Sequence, residues 1–116
     1  MDTLSTENSL RLVDALEALR LELIGMIEGL QEAAATVELD QGQQGRLSRV
    51  DAIQAQRMAQ AQQRRAQQRL ERVEHILTCR GADDFGCCGD CGEVIPMPRL
   101  LARPDAVLCV ECADAR

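Results

Sequence analysis

Two cysteine pairs limit what this chain can fold into more than any other feature. Cys88-Gly89-Asp90-Cys91 and Cys109-Val110-Glu111-Cys112 have residues 92–108 between them, which falls within the C-x2-C-x15–20-C-x2-C spacing of a four-thiolate zinc site. Each pair predicts a tight knuckle with two sulfurs turned inward, and Gly89 and Gly92 suit turns that Cβ-bearing residues resist. The segment between the pairs returns the second knuckle to complete a tetrahedron. Cys88, Cys91, Cys109 and Cys112 then fill every coordination position, so the site is closed and one Zn2+ is expected to be structural rather than catalytic. Its binding energy is folding energy for a segment too short to hold itself together. A redox dithiol is the rival reading of a Cys-x-x-Cys pair, but no βαβ pattern surrounds either one.

The rest of the chain predicts helices. Of 116 residues 46% are hydrophobic, yet Phe85 is the single aromatic. A core of Leu, Ala, Val and Ile points to helix-on-helix packing and away from an enzyme with an aromatic-lined pocket. Leu12, Leu16, Leu19, Leu23, Met26, Leu30, Ala33 and Val37 advance by alternating steps of four and three, a heptad seam over about four heptads. Asn8-Ser9 is the expected start of this first helix. Asp40-Gln41-Gly42-Gln43-Gln44-Gly45 breaks the pattern and predicts a reversal. A second helix is expected from about residues 46–48 to Cys79, with Gly81 ending it in a left-handed turn. Along it Ala52, Ala59, Ala66 and Val73 recur at sevens. The fold expected is therefore mainly α: a long antiparallel coiled-coil hairpin over 1–80, with its tip near 40–51, and a small four-cysteine zinc-finger base over 81–116. Each arm is about 30 residues, or ~45 Å at 1.5 Å per residue.

Charge narrows the partners. The formal net charge is −6, the wrong sign for a protein whose main ligand is a phosphate backbone. It divides as −7 over 1–45, +5 over 46–80 and −4 over 81–116. The arginines of the second arm face the acids of the first, which offsets a basic face for nucleic acid. No leader pattern and no apolar run of about 18 residues is present, so a cytoplasmic protein is expected. In a reducing compartment six cysteines are not expected to be disulfides. Cys79 is read as a buried thiol at the helix end, Cys87 as a substitute ligand or an oxidation site, and His75 as exposed or hydrogen-bonded.

Together, the hairpin pattern, Asp84-Phe85-Gly86-Cys87-Cys88-Gly89-Asp90-Cys91-Gly92, the run Ile95-Pro96-Met97-Pro98-Arg99-Leu100-Leu101-Ala102-Arg103-Pro104, and Leu108-Cys109-Val110-Glu111-Cys112 resemble the DksA/TraR zinc-finger family. The resemblance implies a non-enzymatic transcription regulator that binds bacterial RNA polymerase directly, acting as a monomer and without sequence-specific DNA binding. It implies that the coiled-coil tip enters the secondary channel and that acidic tip residues change open-complex lifetime. The family's tip reads Asp-x-x-Asp-x-Ala; here Asp40 stands on one side and Arg46-Leu47-Ser48-Arg49-Val50-Asp51-Ala52 on the other. The resemblance thus gives Asp51 as the functional acid and Asp40 as second, with Arg49 and Ala52 beside them. Asp51 also reads simply as an acid in the N-terminal turn of a helix. The longer relatives' C-terminal helix is expected to be absent or a stub. Arg103 and Arg72 match positions that hold guanosine tetraphosphate in some members, while Ala113 replaces a further basic residue. The alternative, motivated by the altered tip and the short C-terminus, is a zinc-stabilised coiled-coil adaptor for a different protein partner.

Overall fold

The computed structural model describes residues 3–40 and 46–115, with side chains described outside 33–40 and 46–48. Among the described residues four helices follow in order: α1 (Thr6–Asp40), α2 (Arg46–Thr78), α3 (Met97–Ala102) and α4 (Val110–Asp114). The fold is a long antiparallel pairing of α1 with α2 and a small cysteine-bearing module. Residues 41–45, where the sequence places most of the reversal, lie outside the described residues.

α1 begins before the expected Asn8-Ser9. Ser5 is its cap: its Oγ accepts the Asn8 N–H at 3.1 Å, and its carbonyl accepts the Ser9 N–H at 2.8 Å. A serine at the N-cap that accepts the amide three residues on satisfies one of the donors a helix start leaves open. α2 closes as the sequence indicates, with Gly81 in the left-handed region at φ 89°, a conformation that costs glycine little.

Leu12, Leu16, Leu19 and Leu23 are all buried, as the heptad seam requires. Beyond Leu23 the seam departs from the strict repeat. Met26 is 46% exposed and Ile27 takes the buried position instead. A straight α-helix advances 3.6 residues per turn and drifts by about 20° per heptad from a strict seven-residue repeat, so the buried stripe turns gradually toward the following residue. On α2, Ala66 and Val73 are buried and Ala52 and Ala59 are half-buried. Each fully buried leucine contributes about 1.5–3 kcal/mol, which makes the leucines of α1 the main apolar component of the pairing.

By compactness the chain forms two units: residues 1–20 with 71–116, and residues 21–70. The module after residue 80 therefore shares its unit with the N-terminal part of α1 and the C-terminal part of α2. Within that unit Leu12, Val73, Phe85, Ile95 and Leu100 are buried together with Cys88. The single aromatic lies in this core, where it lines one cavity with Leu12, Ile76 and Leu100. Among the described residues of the other unit, the buried side chains are Leu23, Ile27 and Ala66. Among the described residues no helix is long and apolar enough to cross a membrane.

Candidate metal centre

The first knuckle is built by backbone hydrogen bonds that run across it. Cys87 and Val94 form an isolated antiparallel bridge, with Cys88 N–H to Glu93 O at 2.8 Å and Ile95 N–H to Gly86 O at 2.9 Å. The Gly92 N–H closes the turn on Cys88 O at 3.0 Å, with Gly92 at φ 77°. Gly89, expected to serve the same turn, is not in the left-handed region. That role falls to Gly86 at φ 80°, where a Cβ would meet the Leu4 Cδ2 at 2.7 Å. The left-handed backbone is what favours glycine at 86, since the leucine side chain over it can shift.

The second knuckle uses a helix start. Cys109 is the N-cap of α4, with extended φ −70° and ψ 167°, and Cys112 falls in the first turn. Two contacts seat this knuckle beside the first. Gly89 N–H donates to Val107 O at 2.8 Å, and Arg99 Nε donates to Leu108 O at 2.9 Å. The arginine comes from α3, a helix opened by prolines at 96 and 98; a proline in the first helical turn gives up an amide that has no partner there.

The result is a cluster in which the Sγ atoms of Cys88, Cys91, Cys109 and Cys112 all lie within 4.8 Å of one another. Cys91 Sγ and Cys109 Sγ are 3.9 Å apart. Four sulfurs at ~2.3 Å from one tetrahedral zinc are separated by ~3.8 Å, so the donor set and its spacing fit that ion. The electrostatics fit it as well. Backbone N–H groups of Cys91 and Cys109, with that of Asp90, stabilise the Cys88 thiolate against burial and lower its pKa from 9.0 to about 6. Cys91 is pushed up: the Glu93 N–H favours its thiolate, but hydrogen bonding with Cys88, burial and Cys109 outweigh it. Cys112 is pushed up too, by Cys109 and Cys88 first and then by burial. One sulfur ionises readily and its neighbours resist a second negative charge, an arrangement that a divalent cation resolves.

The remaining sequence-derived residues are more dispersed. Asp51 and Arg49 are exposed on α2 and Ala52 is half-buried. Asp51 is the sixth residue of a helix that starts at Arg46; it has passed the first turn, to which the dipole effect is confined. Asp40 ends α1, with its side chain outside the described residues. Arg103 is exposed and forms the C-cap of α3. Arg72 pairs with Asp105, Nη1 to Oδ2 at 3.2 Å, and the Asp105 side chain is fully buried. Asp105 was not singled out by sequence. Its partner is 33 residues away and no local pattern announces the pair. His75 is exposed. Cys79 and Cys87 are half-buried, so the fully buried thiol expected at Cys79 is not found; α2 has ended at Thr78 and that side chain lies against a cavity rather than in packed core.

Fold and site together define a four-cysteine zinc-finger protein built on a helical hairpin. Residues 83–116 match the family model of the prokaryotic dksA/traR C4-type zinc finger. A segment of 43 residues is 46% identical to the RNA polymerase-binding transcription factor DksA of Haemophilus influenzae, covering 37% of this chain and 30% of that protein. The same-named protein of Escherichia coli K12 is 42% identical over 43 residues, 37% of this chain and 28% of its own. The aligned part thus spans under a third of these relatives' length. The structure of transcription factor DksA2 from Pseudomonas aeruginosa superposes with a TM-score of 0.80 at 24% identity, covering 96% of this chain and 84% of that one. The hairpin-plus-finger fold is therefore common to both.

Proposed function

We propose that this protein is a non-enzymatic transcription regulator that binds bacterial RNA polymerase. It would insert the tip of the α1–α2 hairpin into the secondary channel. The observation that carries the reading is the likeness of the finger segment to proteins named RNA polymerase-binding transcription factors, and the shared fold with transcription factor DksA2 supports it. In this reading one zinc ion is held by Cys88, Cys91, Cys109 and Cys112 and is structural. Asp51 is the acid that acts near the polymerase active centre, with Asp40 second and Arg49 and Ala52 shaping the tip. Docking requires no contact with DNA, in keeping with the acidic net charge.

The test is association of the full chain with bacterial core RNA polymerase in the absence of DNA, followed by promoter open-complex lifetimes. Binding is expected, together with an altered lifetime that Asp51→Asn returns toward the value without the factor. No association at micromolar protein overturns the polymerase reading. Binding with an unchanged effect of Asp51→Asn overturns the tip assignment alone. Guanosine tetraphosphate belongs to the same assay, with Arg103 and Arg72 as the residues to substitute. Arg72 already engages Asp105, so weak or absent dependence on the nucleotide is expected.

A further inference from the structure

Protein interiors leave few voids larger than a water molecule, yet the unit formed by residues 1–20 and 71–116 holds a cavity of about 210 Å3. None of the four quartet cysteines lines it. Leu12 of α1 and Ile76 of α2 line it together with Phe85, Leu100 and Val107 of the cysteine-bearing module. Leu12, Phe85 and Leu100 are buried core residues, so the space is cut into the core rather than laid on the surface. An apolar cavity of about 150 Å3 accepts a benzene ring, and the larger volume here suits a bicyclic aromatic of about nine non-hydrogen atoms. Phe85 is the single aromatic residue of the chain, so no ring of its own chain packs against it. A ring held in the cavity would supply that edge-to-face partner. The opening is polar, because His75 and Asp84 line the same cavity and are both exposed. A carboxylate at this opening, on a chain of net charge −6, accepts a hydrogen bond and repels anions.

We propose that this cavity is a binding site for a small uncharged aromatic molecule with one N–H or O–H donor. The ring lies among Leu12, Phe85 and Leu100, and the donor meets the Asp84 carboxylate at the opening. Transfer of the ring out of water drives binding, and the single polar contact sets its orientation. The walls come from α1, from α2 and from the cysteine-bearing module, so an occupied cavity ties the three together. A ligand that binds only the folded chain then stabilises this unit in proportion to its occupancy. The site stands apart from the polymerase reading, and its test contains no polymerase.

Indole has the required size, charge and donor, and it also serves as the reporter because the chain contains no Trp and no Tyr. The zinc-loaded full chain is titrated against indole and the indole emission is followed. The expected result is saturable one-to-one binding with a Kd on the order of 100 μM, an emission shift to shorter wavelength, and a melting temperature that rises with indole concentration. Benzoate, an anion of similar size, should bind about tenfold more weakly. Ala106 lines the cavity, and Ala106→Leu should fill part of it and weaken indole at least about tenfold, with zinc content and helical circular dichroism unchanged. Asp84→Ala should weaken it about fivefold. Intermolecular nuclear Overhauser contacts from the indole ring to the methyls of Leu12, Ile76 and Leu100 in the wild type locate the ligand, so the answer does not depend on how well the variants fold. Absence of saturable binding at millimolar indole overturns the proposal, as do contacts that lie elsewhere or an undiminished affinity in a folded Ala106→Leu chain. Benzoate binding as tight as indole, or unchanged affinity in Asp84→Ala, overturns the assignment of the polar opening.

Discussion

Asp105 is a carboxylate with almost no solvent contact, 2% exposed, and its ion partner Arg72 remains 47% exposed. Such a pair is asymmetric under substitution. Removing the arginine takes a charge partner from a buried carboxylate, whereas the arginine itself is open to water. Arg72→Ala is expected to cost about 1–3 kcal/mol, measured by urea denaturation of the zinc-loaded chain. The quartet makes a second residue-level prediction. The Cys88 pKa is lowered from 9.0 to about 6, so its ionisation stabilises the folded chain as pH rises from about 6 toward 9, and that contribution is lost as pH falls back through 6. Cys91 and Cys112 are raised, so their contribution is present below the ordinary thiol value and is lost as pH rises beyond it. Thermal melts of the chelated chain are therefore expected to peak between these limits and decline in alkali. Zinc should remove the alkaline decline by supplying the opposing charge, and an identical decline with and without zinc would contradict the assignment.

At the scale of the element, the seam of α1 separates residues that look alike in sequence. Leu16 is wholly buried and Met26 is 46% exposed, although both fit the same four-three repeat. Leu16→Ala is expected to cost about 2–5 kcal/mol and Met26→Ala less than about 1, each read from the denaturation midpoint. The repeat located the first four leucines because a heptad and an α-helix agree over two or three turns. It failed at Met26 because their periods differ, and the facing Ala66 does not impose a register that would hold them together. The cysteine quartet was legible for a different reason. Ligand spacing is set by the tetrahedron, so Cys88, Cys91, Cys109 and Cys112 declared themselves without knowledge of the rest of the fold. Glycines were less readable. Gly92 and Gly81 take the expected positive φ, but Gly86 rather than Gly89 supplies the other turn of the knuckle, because the cross-knuckle hydrogen bonds that decide this are not encoded in the local composition. The prolines flanking Met97 suit the start of α3, where the missing amides have no helical partner to lose.

For the molecule as a whole, metal is expected to act on more than the finger. The unit that contains the quartet also contains residues 1–20 and the end of α2, and Leu12, Val73 and Phe85 are buried there alongside Cys88. Cys109→Ser should therefore lose close to one equivalent of zinc per chain and also lower the helical circular dichroism contributed by residues before 20 and after 71. Loss of zinc with an unchanged helical signal and unchanged melting would contradict this coupling.

The same partition has a consequence for biosynthesis. A unit assembled from residues near Leu12 and residues beyond 71 cannot close until most of the chain has left the ribosome. Leu12, Leu16 and Leu19 emerge early and must remain without their native partners while the intervening 50-odd residues are made, at about 5–20 residues per second. Zinc capture by the quartet then follows synthesis of both arms rather than preceding it. Ribosome-bound chains stalled before Cys109 are expected to expose α1 to proteases and to holdase chaperones, and the released chain should acquire protection only when metal is present.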